Sequence, residues 1–309
     1  MGNIRLKYPV YTLDQTQLLS AGTILSEESL QSLIRANERR PYELRSLFSH
    51  GRIEKDMFRF MRQPPYQIIY ADKKRKNKVL DVLNRVFMMA PILETFDYFR
   101  YYDFYTYRHI LNVLALAILI CQDLLLEYQE LMREVVAGMM HDIGKICVPM
   151  RILKKSSPLT RTERAILEHH SAAGFVILCY YYQDNDNFAA IVARDHHERK
   201  DGSGYPLGIP LNDPMVEIIA ACDVYDALIS PRPYRKASYD NRAALEEITL
   251  MAEEGALSWE VVQALVAQNR KSKPHYADCF VSREKRGKPP DANVYGLVVA
   301  DTNGSLDEN

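Results

Sequence analysis

Several things are missing from this chain of 309 residues, and each absence removes a class of function. Its 5 cysteines (Cys121, Cys147, Cys179, Cys222, Cys279) are odd in number, scattered, and form no CxxC pair. That excludes a disulfide framework and a thiolate zinc ribbon, and points to reduced thiols in a cytosol. Charge of one sign is missing too: the formal net charge is -1. No global field recruits DNA, RNA or an anionic membrane, so a phosphate-bearing ligand must be held by local cations or metals. The opening MGNIRLKYPVY has no apolar h-region, so no signal peptide is expected. Leu6 stands where myristoylation at Gly2 would want Ser or Thr. The most apolar run, Val113 to Cys121, is far short of the ~20 residues of a membrane span and reads as a buried helix. Internal repeats, low-complexity stretches and a receiver-domain layout are also lacking. The expected location is cytoplasmic.

What is present is a real core: 47% of residues are apolar and 26% charged, the balance of a globular protein. Residues 1–95 read as a small α/β module. IRLKYPVYTL and YQIIYA have the β-branched and aromatic content of short strands, whereas EESLQSLIRAN and KVLDVLNRVFMM show helical spacing. Pro64-Pro65 marks a break between them. Residues 96–270 are helical throughout, beginning in the aromatic FDYFRYYDFYTYRH, which reads as interdomain core. Thr160 with Glu163 makes a capping box before a long apolar run to Tyr182. Asp213-Pro214 opens a helix through Ala227. Asp240 caps another that ends near Gly255, and Ser258 caps WEVVQALVAQNR. The fold class is therefore mainly α: an all-helical domain of about six or seven helices behind a smaller module. Residues 271–309 form an extension with one strand-like run, VYGLVVA, and a tail, TNGSLDEN, expected to be disordered.

Six of the 8 histidines fall in four windows: His109, His141, His169-His170 and His196-His197. One histidine on a helix is an ordinary core or surface residue; four windows, one opening HDIGK, call for a metal site. Each window is expected on or at the end of a helix, where adjacent residues point about 100° apart, so the His141 imidazole can face one ion while the Asp142 carboxylate reaches between two. Only a carboxylate has two oxygens with which to bridge. Gly144 lets backbone or ligand approach, and Lys145 is placed to neutralise a phosphate oxygen. HHERKDGSGYP, from His196 to Pro206, carries Asp201, Gly202, Gly204, Tyr205 and Pro206 in a fixed turn. Glu198 and Arg199 read by themselves as a surface ion pair. In CDVYDAL, Asp223 and Asp226 share one helix face, and a carboxylate on so apolar a helix needs a cation or a donor. Arg232 and Arg235 in SPRPYRKAS are candidate phosphate contacts.

HDIGK, HHERKDGSGYP, the D-x-x-D-A-L helix and RPYRKA, in that order, resemble the HD-GYP branch of the HD metal-dependent phosphohydrolases. The resemblance covers about half the chain. It implies hydrolysis of cyclic di-GMP, to pGpG or GMP, at iron-type or manganese-type ions. His109, His141, Asp142 and Asp223 would hold one ion; Asp142, His170, His196 and His197 would hold the other. His170 is chosen over His169 because HSAAG matches the family spacing. Lys145, Arg232 and Arg235 match phosphate-binding positions. Imidazole with carboxylate and no thiolate suits iron or manganese. Two such ions polarise a phosphodiester and turn a bridging water into hydroxide at neutral pH, so no Ser or Cys nucleophile is required.

The chain departs from the family in three places. Tyr105 stands where some members have a Glu for a third ion, so two ions are expected. GYPLGIPLNDPMVEII is a shortened form of the GYP loop, with Glu217 in place of an Arg, which leaves its contacts to substrate or to a protein partner open. EEGALSWEVV replaces a Gly-x-x-Phe-Asp-Pro entry, and Ser258 can cap there as Asp would. Three other readings remain open: a phosphodiesterase for another cyclic dinucleotide, a metal-holding signalling scaffold with little turnover, and a di-iron oxygen-activating protein.

Overall fold

The computed structural model describes residues 4–37, 41–124, 137–231, 238–290 and 297–301. Helices dominate, as the sequence periodicity requires, and the strands among the described residues form three two-stranded sheets. Val10–Tyr11 pairs antiparallel with Gln17–Leu19, and Leu44–Ser46 pairs antiparallel with Phe87–Met89. Leu159–Thr160 pairs in parallel with Val298–Val299.

The first 95 residues mix helices and hairpins, with two local departures from expectation. EESLQSLIRAN is a helix, Glu27–Asn37. KVLDVLNRVFMM is only partly one: Asp72 caps Lys73–Asn84, accepting from the amides of Lys74 and Arg75, and FMM then turns into a strand. YQIIYA is not a strand but a short helix, Tyr66–Ile69, with Tyr66 and Ile69 buried. Its aromatic and β-branched residues serve packing rather than a ladder, and β-propensity yields to such tertiary context. The expected boundary near residue 95 falls inside the helix Ala90–Tyr102.

The helix Phe104–Leu124 is the central post, and its buried residues run almost unbroken from Thr106 to Cys121. By length and composition it could cross a membrane, but most of it is packed inside the fold. It lies against Pro214–Ile229. A second pair, His170–Tyr182 and Phe188–Asp195, packs together and against the 3-10 turn Ile143–Cys147. These two packings bring the histidine windows to one place.

The helix starts follow local side-chain chemistry. Thr160 and Glu163 form the reciprocal capping box. Asp213 accepts from the amides of Met215 and Val216, with Pro214 at the first turn. Asp240 accepts from Ala243 N. Ser258 stands at the cap position of Trp259–Asn269 without a side-chain cap bond. The long run after Thr160 is two helices, Arg161–Glu168 and His170–Tyr182, meeting at His169. One hydrophobic core extends from Leu6 to Cys279. The final TNGSLDEN lies outside the described residues.

Candidate metal centre

Each window reaches the centre from a different element. His109 stands on the central post, and Asp223 and Asp226 stand one turn apart on the helix packed against it. His141 and Asp142 lie in a turn just before Ile143–Cys147, not on a regular helix, and Lys145 is on that 3-10 turn. His170 opens its helix; His196 and His197 follow the end of Phe188–Asp195. Gly144 explains how two of these elements come so close. A Cβ there would sit 1.9 Å from the carbonyl oxygen of His170 and 2.4 Å from Gly174 N, so the space it leaves open is used by backbone.

Donor atoms gather in two groups, His109, His141 and Asp223 on one side and His170, His196 and His197 on the other. Asp142 lies between them. Its Oδ2 is 3.7 Å from His109 Nε2 and 3.5 Å from His141 Nε2; its Oδ1 is 3.4 Å from His170 Nε2 and 4.0 Å from His196 Nε2. Asp223 faces His109 Nε2 at 2.9 Å and His197 Nδ1 at 3.8 Å.

The donor set fits metal ions, and the ring orientations show why. The Nδ1 atoms of His141, His170 and His196 lie 2.7, 2.6 and 3.0 Å from the carbonyl oxygens of Gly138, Leu167 and Ala193. A carbonyl can only accept, so each Nδ1 carries the proton and each Nε2 a bare lone pair. Yet His170 Nε2 and His196 Nε2 face each other at 3.3 Å, and His141 Nε2 is buried with no hydrogen-bond partner. Opposed lone pairs repel; a cation between them converts that repulsion into coordination.

His109 is oriented differently. Its Nδ1 is 2.6 Å from Asp226 Oδ2. Asp226 is itself fixed by donors from Tyr66 Oη, Asn112 Nδ2 at 3.0 Å and Ser230 Oγ at 3.1 Å. Asp226 thus uses donors, the second of the two options its burial allowed, and orients a metal-site histidine.

Protonation suits the same purpose. Burial pushes His170 down to about 4, and burial with neighbouring imidazoles holds His196 and His197 well below the ordinary range. These rings stay neutral and able to ligate. For Asp142, burial acts upward, but Lys145 and His141 outweigh it and hold the carboxyl well below its usual range. Asp223 behaves alike, with His109 as the opposing partner. His109 is opposed by burial too, yet its bonds to Asp223 and Asp226 carry it up to about 9. The neutral imidazoles of the His170 group and the ionised carboxylates are what a divalent cation needs, whereas at His109 a cation would have to displace a proton.

A family model described as HD domain matches residues 88–257. The chain belongs to the HD domain family. Relatives include a cyclic di-GMP phosphodiesterase of Pseudomonas aeruginosa, 39% identical over 53% of this chain and 39% of that protein. A cyclic di-GMP phosphodiesterase of Thermotoga maritima is 37% identical over 48% of this chain and 41% of that protein. A 3'3'-cGAMP-specific phosphodiesterase of Vibrio cholerae is 29% identical over 66% of this chain and 45% of that protein. In each case the chain spans less than half of the relative's length. These names accord with the HD-GYP resemblance.

The HHERKDGSGYP segment of this HD domain is a loop built on one buried carboxylate. Glu198 is not a surface ion-pair partner: it is fully buried, and accepts from the amides of Leu207 at 2.6 Å, Gly208 at 3.1 Å and Ile209 at 3.2 Å. Gly202 has φ +76°, and a Cβ on Gly204 would meet His197 O at 2.3 Å. Asp201 is exposed and accepts from Ser203 N and Oγ, closing a tight turn. Glu217, the departure from the family pattern, pairs with Lys200 and ties the loop base to its helix. Tyr205 lines the cavity together with His197, on which it stacks with centroids 4.6 Å apart. Pro206, which follows, is half-buried.

That cavity, of about 210 Å³, opens over His170, His197 and Asp223, with Lys145 and Arg164 as its cations. Lys145 Nζ is 2.6 Å from Asp142 Oδ2. Tyr105 stacks on His109 with ring centroids 5.7 Å apart. Arg232 and Arg235 lie outside the described residues. Sequence reasoning passed over Arg164, whose face of its helix becomes a wall only after folding, and the orienting bond from Asp226 to His109.

Proposed function

We propose that the chain is a metal-dependent phosphodiesterase for a cyclic dinucleotide, cyclic di-GMP in the first place, yielding pGpG or GMP. The observation that supports this most is the pair of three-residue groups meeting at Asp142, with Lys145 beside it. His109, His141, Asp142 and Asp223 would hold one divalent ion; Asp142, His170, His196 and His197 would hold a second. Iron or manganese suits such imidazole and carboxylate ligands. When bound, the ions supply Lewis acidity toward a phosphodiester and a nucleophile at neutral pH. The protein's own part is to hold Asp142 ionised between both groups, and to present Lys145 to a phosphate oxygen at the cavity floor. Arg232 and Arg235 are proposed as further phosphate contacts. Tyr105 takes the place of a carboxylate for a third ion, so two ions per chain are the expected count.

The helical part, residues 96–270, would carry the chemistry. Residues 1–95 would serve regulation, and 271–309 form an extension. The shortened GYP loop would offer its outer face to a protein partner, in a cytoplasm that keeps the five thiols reduced. The test is turnover of cyclic di-GMP by metal-loaded protein, with Asp142→Ala as the control that loses both metal and turnover. A second reading has a specific basis: the 3'3'-cGAMP-specific relative aligns over 66% of this chain. Side-by-side rates with both substrates separate the two. Metal-replete protein inert toward both would instead be a metal-holding scaffold.

A further inference from the structure

The cavity over the centre has one wall from far along the chain. Leu297 lines it together with Lys145, His170, His197 and Tyr205. The residues that follow are held on the same rim: Val298 and Val299 pair in parallel with Leu159 and Thr160, and Leu159 also lines the cavity. Asp301 Oδ1 then accepts from Thr162 N at 3.1 Å, in the first turn of Arg161–Glu168. The hold is slight. Leu297, Val298 and Val299 remain 57%, 42% and 44% exposed, and an isolated two-strand pairing is marginal in water. Segments with so few buried contacts open at low cost.

Space gives the direction of the effect. With Leu297 seated, the cavity measures about 210 Å³, whereas sites for drug-sized ligands run from about 300 to 1,000 Å³. A cyclic dinucleotide, with two bases and two phosphates, needs more room than is left.

We propose that Leu297–Asp301 is an autoinhibitory strap, which excludes the dinucleotide while seated and admits it when the short ladder opens. The size argument rests on the phosphodiesterase reading above, while the strap itself rests on the pairing and the capping bond. A small phosphodiester reaches the centre with the strap in place.

The test uses the full chain, loaded with manganese, carrying Thr160→Cys and Val299→Cys, a directly paired position suited to a disulfide. The reduced form of the same variant controls for loss of the Thr160 cap. Oxidation is expected to slow cyclic di-GMP hydrolysis at least about tenfold, reversibly on reduction, as a closed lid would. Hydrolysis of methyl p-nitrophenyl phosphate, a diester with a single ring, should be unchanged. Asp301→Ala, which frees the strap, should raise the dinucleotide rate. Equal dinucleotide rates in verified oxidised and reduced protein overturn the proposal. If reduced protein cleaves the small diester but neither cyclic dinucleotide, the substrate reading fails, and the strap is judged without a substrate. Fura-2, a polycarboxylate chelator comparable in size to the dinucleotide, should then strip manganese more slowly from the oxidised form; equal stripping rates overturn the strap.

Discussion

Asp226 has a position in the sequence that suggests a ligand, three residues after Asp223 on an apolar helix, yet it serves the centre through His109. Replacing it with the isosteric Asn keeps the volume and removes the charge that fixes the ring. Asp226→Asn should weaken metal binding in the His109 group by about 10- to 100-fold and spare the His170 group. Competition with a chelator reads this directly, and an unchanged affinity would make Asp226 a mere packing residue. His109 also predicts a pH dependence. Its pKa in the metal-free fold is raised to about 9 from an ordinary 6.5, so the proton's contribution to stability is full below 6.5 and is lost as pH rises through about 9. A metal must displace that proton. Metal affinity of this group should therefore climb by up to about tenfold per pH unit and level off above about pH 9; a titration series flat from pH 7 to 9 would contradict it. Lys145→Ala should leave metal content intact and reduce turnover by about 10²-fold, if its ammonium meets charge that develops in the transition state. Equal rates for variant and wild type would return Lys145 to the surface.

At the scale of elements, legibility followed locality. The caps at Thr160, Asp213 and Asp240 are set by a few adjacent residues, and each is found with its bond. YQIIYA and the end of KVLDVLNRVFMM were misread because distant packing chose between helix and strand for short apolar runs. The division at His169 was invisible for a related reason: the Leu167 carbonyl accepts the imidazole N–H of His170, whose orientation belongs to the centre. VYGLVVA looked strand-like, but nothing in it names Leu159–Thr160 as its partner. Gly144 had a readable role, close approach, whose object became specific only in the fold. Gly144→Ala drives a methyl into the His170 carbonyl and Gly174 N, atoms of backbone that cannot turn aside. A loss of about 3 kcal/mol or more is expected, together with loss of metal from the His170 group. Thermal unfolding and metal analysis check both, and an unaltered melting temperature would show that the two elements can part freely.

Across the whole molecule, the windows were legible because ligand chemistry restricts residue type, whereas the support from the first 95 residues was not, because it depends on three-dimensional proximity. Tyr66 donates to Asp226, and Asp56 accepts from Arg100 Nε at 3.1 Å and from Tyr107 Oη at 3.2 Å. Asn37 donates to the Tyr180 carbonyl at 2.7 Å on the other helix pair. The same hydrophobic core takes in Leu30, Met57 and Val82 from this region alongside Leu111 and Ile219. A fragment beginning at Arg100 keeps every proposed ligand but loses the Tyr66 donor and uncovers Tyr107 on the central post. An apolar face of that kind promotes association, and Asp226, short of one donor, holds His109 less firmly. The fragment is therefore expected to be poorly soluble, and its soluble part to bind metal more weakly at the His109 group than at the His170 group. Supplying residues 1–99 as a separate chain in the same cells should restore solubility, since the lost contacts are noncovalent. Soluble, monomeric fragment with full metal content at both groups would show instead that the first 99 residues sit on a core already complete without them.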